Sequence, residues 1–366
     1  MKIVNKGLKI RLYPNDFQVR LLEKTFGCCR YVYNHLLQYA NDNKQYNRFK
    51  LQKVLTELKH SEETSFLKEA DKFALQNEVK FLRMAFDNYF NHRAKRPKFK
   101  SKKKAICSYQ TNFTNNNIVI NDGNIKLPKL GLIKCSNNFN APLEQIISVT
   151  VVKEKSGKYY ASINYKAKVL PLNKTKEQIG VDLGVRKLIT TSDNYTVKIP
   201  EKAFKVNIKA RREHRRLSRK QQDSKNHEKQ RKILSSVYAK RKNIVDNTLH
   251  QVSYSLVKKY DDIYIEDLDV NQLLLLQNRK AKKNKMIVSS LGKLRTLIKY
   301  KAFIYDKQVH EIYRYYASSQ ICFNCKSRYD VKESEVYHCP YCNTVIDRDF
   351  NAALNILYEG THSKIQ

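Results

Sequence analysis

The sequence contains no apolar run that approaches the ~20 residues needed by a membrane-spanning helix. Its first residues, MKIVNKGLKIRLYP, alternate charged and apolar side chains, which is not the pattern of a secretory signal peptide. Acidic residues are scarce, with 34 Asp and Glu against 71 Lys and Arg, and the formal net charge is +37. So basic a chain repels itself unless an anionic partner neutralises it. We therefore expect a nucleic-acid-binding protein that is neither secreted nor membrane-spanning, and not a structural or small-molecule-binding protein.

Tryptophan is also absent, and only 9 glycine and 7 proline residues occur among 366. Apolar side chains nevertheless make up 41% of the sequence, which is enough to fill hydrophobic cores. The chain is therefore not a disordered tail. Its length suggests two domains, or three.

Positive charge is concentrated in three tracts. Residues 93–104 carry eight basic side chains and no acid, residues 198–242 carry seventeen against four acids, and residues 270–305 carry nine and no acid. Phosphate contacts by such side chains release condensed counterions, which gives strong, salt-dependent binding without sequence preference. One tract alone could be a solvated helix face, but three in one chain favour nucleic-acid contact. The candidate contact residues are Arg96, Lys98, Lys100, Arg211, Arg212, Arg215 and Arg216.

Four of the eight cysteines form two CxxC pairs separated by thirteen residues. Two such pairs can place four thiolates around one Zn²⁺ ion, with room for a short hairpin between the pairs. The alternative is a pair of disulfides, which a cytosolic redox environment disfavours. Metal binding would supply the folding energy of a polar segment too short for its own core. The candidate ligands are Cys322, Cys325, Cys339 and Cys342; His338 is expected to be a bystander, and Cys28, Cys29, Cys107 and Cys135 to be small buried apolar residues.

The first half of the chain predicts a β-module split by a helical insertion. Residues 3–13 alternate in the manner of strands, and apolar residues at helical spacing follow Pro14 as far as about residue 92. Strands are predicted after the first basic tract, with a hairpin turn at 155–158. A linker is predicted at 171–177. The predicted strands are 115–120, 126–127, 132–135, 148–153 and 159–166.

The second half predicts a βαβ unit. A strand at 179–185 places Ile179, Val181, Leu183 and Val185 on one face, and a short apolar strand at 262–268 follows a long helical region. A further helix is predicted over 291–309 and a strand over 311–315. After the cysteine pairs, apolar residues between 350 and 357 form a helical stripe.

Three carboxylates occupy special positions in these elements. Asp182 lies in a strand with glycine two residues before and after it, Glu266 lies at a strand end, and Asp349 lies in a first helical turn. They are 84 and 83 residues apart, so only tertiary folding can bring them together. In so basic a protein, an acid cluster suits phosphodiester hydrolysis by two Mg²⁺ ions about 4 Å apart. Each acid alone could be a turn acid, a solvated strand end or a helix cap, and Asp267 and Asp347 remain open as local alternatives.

These motifs resemble those of the TnpB family, also called OrfB, of bacterial insertion sequences, over nearly the whole chain. The most specific matches are Gly-Val-Asp-Leu-Gly at 180–184, Ile-Glu-Asp-Leu at 265–268, the paired CxxC motifs and Asp-Arg-Asp-x-Asn-Ala-Ala at 347–353. Supporting matches are Leu-Tyr-Pro at 12–14, Tyr-Val-Tyr-Asn at 31–34, Pro-Lys-Phe-Lys at 97–100, Leu-Pro-Lys-Leu-Gly at 127–131 and Ser-Ser at 318–319.

The resemblance implies an RNA-guided DNA endonuclease, similar to the type V CRISPR effectors. Its partners would be a guide RNA from the transposon end and double-stranded target DNA that carries a short flanking motif. The matching catalytic positions are Asp182, Glu266 and Asp349, since the family's third acid lies two places before Asn-Ala-Ala. They would hold two Mg²⁺ ions, and one structural Zn²⁺ would lie in the cysteine module. The setting would be the bacterial cytoplasm, in association with the nucleoid.

The implied fold class is α+β and multidomain. A β-barrel wedge with a helical recognition insertion would precede an RNase H-like RuvC nuclease that contains a zinc ribbon. The expected boundaries are 1–13 and 105–172 for the wedge, 14–104 for the insertion, 173–320 and 345–366 for the nuclease, and 321–344 for the ribbon, which would bind target nucleic acid.

The sequence departs from the family pattern in places: Ala317 replaces a common proline, tryptophan is missing from the preceding helix, and Asn243 stands where an acid is common. The acids and thiols are intact, so the nuclease interpretation is kept. Alternatives are a non-cleaving RNA-guided regulator, a transposase or transposase accessory protein, and a zinc-stabilised RNA-binding protein without catalytic activity.

Overall fold

The computed structural model describes residues 2–102, 106–121, 123–136, 145–184, 186–268, 282–331 and 334–363. The chain forms two compact units, one of residues 3–168 and one composed of residues 1–2 and 169–366. Parts of the sequence predictions lie outside the described residues: Val185, positions 103–104 of the first basic tract and positions 270–281 of the third. Across the described parts of the chain, no helix is both long enough and apolar enough to cross a membrane.

A seven-stranded sheet forms the centre of the first unit. Its strand order is β2-β6-β7-β1-β5-β4-β3, so the first strand lies in the middle, between strands that come much later in the chain. Pairing between β2 and β6, β6 and β7, β1 and β5, β5 and β4, and β4 and β3 is antiparallel. The strands are β1 (Lys2–Tyr13), β2 (Cys107–Asn112), β3 (Val119–Asn121), β4 (Asn124–Leu127), β5 (Gly131–Cys135), β6 (Gln145–Lys153) and β7 (Tyr159–Val169).

Three helices are inserted between β1 and β2, where apolar spacing predicted them: α1 (Asp16–Asp42), α2 (Arg48–His60) and α3 (Lys72–Phe90), with a 3₁₀ segment at Glu62–Glu69. Helix α1 starts at a capping box, in which the Gln18 amide donates to Asn15 Oδ1 at 2.8 Å and the Asn15 amide donates to Gln18 Oε1 at 3.1 Å. Buried side chains of all three helices join one core with the sheet, among them Leu22, Leu55 and Leu82.

Two strand predictions in this unit were wrong in detail. The strand expected at 115–120 covers only Val119–Asn121, because Asn115 and Asn116 adopt positive φ angles in a turn. Strand β2 was missed, since its sequence CSYQTN is mostly polar. The predicted hairpin turn at 155–158 is confirmed: Gly157 has a φ of 82°, and its amide donates to the Glu154 carbonyl at 2.8 Å.

The second unit contains a five-stranded sheet of order β10-β9-β8-β11-β12. Strands β8, β11 and β12 are parallel, and β9 and β10 continue antiparallel from β8. The predicted βαβ relation between the strands of Asp182 and Glu266 is confirmed, although the β9–β10 hairpin was not foreseen. The strands are β8 (Gln178–Asp182), β9 (Ile189–Thr191), β10 (Thr196–Val197), β11 (Asp262–Glu266) and β12 (Gln308–Ile312).

Helices pack against this sheet. Ile179, Val181, Ile263 and Ile265 of the central strands share a core with apolar residues of α5 and α6. The helix predicted through Val309 ends earlier, because Asp306 has a φ of 61° and turns the chain out of the helix into β12. The helices are α4 (Glu201–Ser218), α5 (Lys225–Lys259), α6 (Lys282–Tyr305) and α7 (Arg348–His362).

A buried ion pair anchors the segment predicted as a linker. The side chain of Lys307 is fully buried and bonds to Asp261 and, at 2.7 Å, to the carbonyl of Asn173. Asp261 in turn accepts the amides of Thr175 at 3.0 Å and Lys176 at 2.8 Å. The segment after β7 is therefore held on the five-stranded sheet by specific hydrogen bonds rather than being a free linker.

Candidate functional site

Strand register places Asp182 beside Glu266. In the parallel pair of β8 and β11, Val181 lies opposite Ile265, so the next residue of each strand is an acid at the carboxyl end of the sheet. Neighbouring strands lie about 4.8 Å apart, and residues in register project from the same face. Two carboxylates 84 positions apart in sequence thus become neighbours.

Helix α7 brings Asp349 to the same place. A Cβ added at Gly180 would lie 2.2 Å from the Ala353 carbonyl oxygen and 2.7 Å from the Leu357 amide, so the helix packs directly on the strand backbone. Gly180 and Asp182 share one face of β8. Asp349 lies four residues before Ala353, about 6 Å along the helix, and Asp182 lies about 6.6 Å beyond Gly180. Because the charge of Asp349 acts on Asp182, the helix runs back along the strand and its first turn lies level with Asp182.

The electrostatics of the three acids are consistent with this convergence. Burial raises the pKa of Asp182 well above its ordinary value, and the charges of Glu266 and Asp349 raise it further. Burial also raises the pKa of Glu266, although a hydrogen bond from the Ser318 hydroxyl acts in the opposite direction. Within the described ranges, the three acids do not bring an oxygen each to within 4.8 Å of the others, as a tight single-ion cluster would. The charges of Glu266 and Asp349 nevertheless act on Asp182 through space.

The alternative acids have other partners. Asp347 caps α7: its Oδ1 accepts the Asp349 amide at 3.1 Å and the Phe350 amide at 3.0 Å, and Lys187 Nζ lies 2.6 Å from its Oδ2. Despite burial, which acts to raise it, the pKa of Asp347 is lowered by Lys187 and these amides. Asp267 is likewise bound by two arginine side chains, Arg295 and Arg314. Lys187 also lies 3.5 Å from Asp349 Oδ2, so a protein cation faces the third acid.

A buried set of hydrogen bonds connects these acids to the cysteine module. Ser318 donates its hydroxyl to Glu266 and accepts the Asn355 amide group at its carbonyl, at 2.9 Å. Asn355 and Asn351, both fully buried on α7, also donate to the Ile321 carbonyl at 2.6 and 2.7 Å. Neither Asn355 nor the role of Ser318 was predicted from the sequence. Two buried asparagines four residues apart on an otherwise apolar helix face were the available signal.

The four predicted cysteine ligands come together, with their sulfur atoms all within 4.8 Å of one another. Cys322 and Cys342 sulfurs are 3.6 Å apart, and those of Cys325 and Cys339 are 3.5 Å apart. A tetrahedral Zn²⁺ site with Zn–S bonds of about 2.3 Å has S–S edges of about 3.8 Å, whereas a disulfide is about 2.05 Å. All eight cysteines are free, so the disulfide alternative is excluded and the donor set fits a tetrahedral metal.

Hydrogen bonds tune individual thiols of this cluster. The Thr344 hydroxyl, 3.1 Å from the sulfur, lowers the pKa of Cys342 to about 6, whereas burial raises the pKa of Cys339 to about 11. His338 is exposed and stays outside the cluster, as predicted. The hairpin of β13 (Val336–His338) and β14 (Val345–Asp347) encloses the second CxxC pair instead of lying between the pairs, which corrects the expected arrangement.

Most of the seven basic residues predicted to contact nucleic acid are exposed, but some of them have partners within the protein. Arg211, Arg212, Arg215 and Arg216 are all exposed on α4, although Arg216 also lies 3.0 Å from the buried acid Glu213. Lys98 is exposed, and Arg96 donates to Asn41 at 2.9 Å. Lys100 instead lies 2.7 Å from Glu78, whose side chain is only 2% exposed, so its charge has a structural partner.

Three family models match parts of the chain. The one described as "Probable transposase" covers residues 150–277, "Cas12f1-like, TNB domain" covers 292–356, and "Helix-turn-helix domain" covers 1–48. The last segment holds β1 and α1 in this structure, which is a strand and a helix rather than two helices.

Relatives match almost the full length. A Streptomyces pristinaespiralis protein named "Putative RNA-guided DNA endonuclease" is 30% identical over 98% of this chain and 90% of its own. The Escherichia coli K12 protein "Putative RNA-guided DNA endonuclease InsQ" is 30% identical over 97% of this chain and 92% of its own. The "TnpB-like protein L79" of Acanthamoeba polyphaga mimivirus is 25% identical over 96% of this chain and 72% of its own.

A solved structure shares the fold. It is a cryo-EM structure of a Cas12f1–sgRNA–target DNA complex, with a TM-score of 0.58, 12% identity, and coverage of 97% of this chain and 98% of that one. The predicted α+β, multidomain fold class is confirmed: a β-sheet unit with an inserted helical bundle precedes a mixed α/β unit that contains the cysteine module.

The contact between β8 and α7 predicts that Gly180→Ala destabilises the protein. The added methyl group would overlap helix backbone, which cannot move aside as a side-chain end could, so a loss of roughly 1–3 kcal/mol is expected. Urea unfolding measures it. Gly27→Ala in α1 is the matched control, because nothing lies within 4 Å of its added Cβ, and it should stabilise by up to about 1 kcal/mol. Equal behaviour of the two variants would contradict the described contact.

The raised pKa of Asp182 predicts that Asp182→Asn stabilises the protein in chelator at neutral pH. In the unfolded chain this carboxyl ionises near pH 4, whereas burial and its acidic neighbours oppose ionisation in the fold. Asp182 therefore does not destabilise the fold below about pH 4, where it is protonated in both states. The loss of folding free energy that it causes grows as pH rises from there towards the raised pKa. Thermal unfolding at pH 4.5 and pH 8 should show a gain only at pH 8, above the roughly 0.5 kcal/mol of ordinary surface changes. The exposed Asp306, replaced by Asn, should show no such gain.

Proposed function

The chain belongs to the TnpB (OrfB) family, and from that premise we propose that it is an RNA-guided DNA endonuclease that hydrolyses phosphodiester bonds with divalent cations. The observation that carries the proposal is that Glu266 lies next to Asp182 at one end of the nuclease sheet, and that the charges of Glu266 and Asp349 both raise the pKa of Asp182. The full-length similarity to proteins named as RNA-guided DNA endonucleases supports it.

The donor set suits Mg²⁺, which prefers hard carboxylate oxygens together with oxygens of the substrate phosphate. Ions bound there supply Lewis-acid activation of water and stabilisation of the leaving oxygen. The protein's own residues hold the ligands in place: the Ser318 hydroxyl orients Glu266, and the Asp347 cap fixes the first turn of α7 and hence Asp349. Lys187 balances negative charge beside Asp349.

A guide RNA and a double-stranded DNA target are the proposed partners. The net charge of +37 requires polyanionic partners, and the Cas12f1 structure that shares this fold is a complex with sgRNA and target DNA. The exposed arginines of α4 are proposed phosphate contacts. Retention of all three acids favours cleavage over the alternative of a non-cleaving regulator.

The four clustered cysteines are proposed to hold one structural Zn²⁺ ion. Their sulfur spacing fits a tetrahedral shell, and four thiol ligands leave no open position for catalysis. Asn351 and Asn355 bond to Ser318 and Ile321 before the first CxxC pair and to the Phe323 amide within it, so loss of the metal should disturb α7 as well.

Cleavage tests the acid assignment directly. The protein purified with its bound RNA, and offered a randomised DNA library matched to that RNA, should cut in Mg²⁺. Asp182→Asn should retain RNA and target binding and lose cleavage at least on the order of 100-fold, the scale of a lost catalytic group. Asp306→Asn should cut at the parental rate. Parental cleavage by Asp182→Asn would overturn the assignment.

Zinc removal tests the cysteine module. Cys339→Ser should lower bound zinc below one ion per chain, measured by elemental analysis, and should impair cutting, because the bonds from α7 to the first CxxC pair would lose their support. Cys107→Ser is the control, since Cys107 lies in β2 and outside the cluster. Unchanged thermal stability and cleavage after zinc loss would argue against a structural role.

A further inference from the structure

Two tyrosines beside the acid site are unusually exposed. Tyr313 and Tyr315, directly after β12, have relative exposures of 69% and 72%, the highest of any tyrosine that the structure describes. Their rings meet edge to face, with centroids 5.5 Å apart. Tyr316 next to them is different: it packs against Ile312 and Ile356 in the interior. The turn thus buries one ring and presents the other two to solvent.

The position of this pair is fixed relative to Glu266. Ile312, the residue before Tyr313, lies opposite Glu266 in the parallel pair of β11 and β12. Between the tyrosines, Arg314 donates to Asp267, with Nε 2.9 Å from Oδ2. Ser318, at the end of the same segment, donates to Glu266 itself. The segment that carries the two rings is therefore anchored at two points to the strand end that holds Glu266.

The surroundings do not repel a nucleic-acid strand. Glu266, Asp267 and Glu311 are bonded to this segment or beside it, and the cations Arg295, Arg314 and Lys299 bind Asp267 and Glu311. Three positive charges thus offset these three negative charges, and the group carries no net negative charge. An anionic backbone can therefore approach the tyrosines, in contrast to the acid trio, which needs cations to accept a phosphate.

We propose that Tyr313 and Tyr315 form a stacking platform for unpaired bases of the DNA strand that is cut. The inference rests on the proposed function and specifies its substrate as single-stranded at the acid site. Aromatic side chains stack on bases without sequence preference, but only where the base faces are free. In a duplex those faces are covered by neighbouring base pairs, so a rigid exposed ring pair selects a displaced or unwound strand. Bases held there place the adjoining phosphate near Glu266.

A fluorescence assay tests stacking without relying on cleavage. The full chain with its RNA, in the Asp182→Asn background, is titrated with a single-stranded DNA oligonucleotide containing 2-aminopurine, whose emission falls when the base stacks. The double variant Tyr313→Ala/Tyr315→Ala should weaken binding at least about fivefold and abolish the quenching. Tyr313→Phe/Tyr315→Phe should stay within about twofold of the parent, because phenylalanine keeps the stacking face. Tyr195→Ala, at an exposed tyrosine in the turn after β9, is the matched control and should change neither signal.

Cleavage by the same tyrosine variants in the otherwise unaltered chain then separates the stacking platform from the proposed endonuclease function. The alanine pair should raise KM for DNA with a smaller effect on kcat, at unchanged thermal stability and RNA content. Unchanged affinity and quenching in the alanine pair would overturn the platform, even if the protein cuts DNA normally. Loss of bound RNA instead would assign the surface to the guide and would also overturn it. Failure of the parent chain to cut any DNA would refute the proposed function, while the quenching assay would still decide the stacking.

Discussion

Helix α7 lies against the backbone of β8 with no side chain between Gly180 and the Ala353 carbonyl, and the acid site depends on this close approach. A side chain at position 180 would push the helix off the strand and move Asp349 away from Asp182. The approach must also overcome the cost of burying Asp182 and Glu266, which raises the pKa of both, and the repulsion of Asp182 by the charges of Glu266 and Asp349. The Asp347 cap, Lys187 and the buried asparagines of α7 are the interactions that hold the helix there.

The cysteine module and the acid site form one connected piece of structure. The chain leaves β12, bonds to Asp267 through Arg314 and to Glu266 through Ser318, and then enters the first CxxC pair. Asn351 and Asn355 of α7 bond to the Ser318 and Ile321 carbonyls before this pair and to the Phe323 amide within it. Each of the two elements that carry Glu266 and Asp349 is therefore bonded to the segment that leads into the cysteines. The cysteine module, inserted between the second and third acids, therefore braces both.

Much of the site could be predicted from sequence because its signals are local. The glycine-flanked acid, the apolar strand ending in Glu266 and the spacing of the CxxC pairs are visible in short windows. What was missed consists of contacts between distant segments or of polar strands: the Ser318–Glu266 bond, the double role of Asn355, the Lys307–Asp261 anchor and strand β2. The helix predicted through Val309 failed for a backbone reason, since apolar spacing continued past Asp306 but the positive φ there did not permit a helix. The domain boundaries, the roles of the acids and the basic contacts remain predictions.

The order of elements along the chain has a consequence for biosynthesis. Asp182 is translated 167 residues before Asp349, which at about 5–20 residues per second is roughly 8–33 seconds. Until α7 leaves the ribosome, the central strand of the nuclease has an uncovered glycine face and lacks one of its acids. A nascent chain can thus fold its first unit and bind RNA before it is able to cut DNA. The order of the elements along the chain therefore delays DNA cleavage until synthesis is nearly complete.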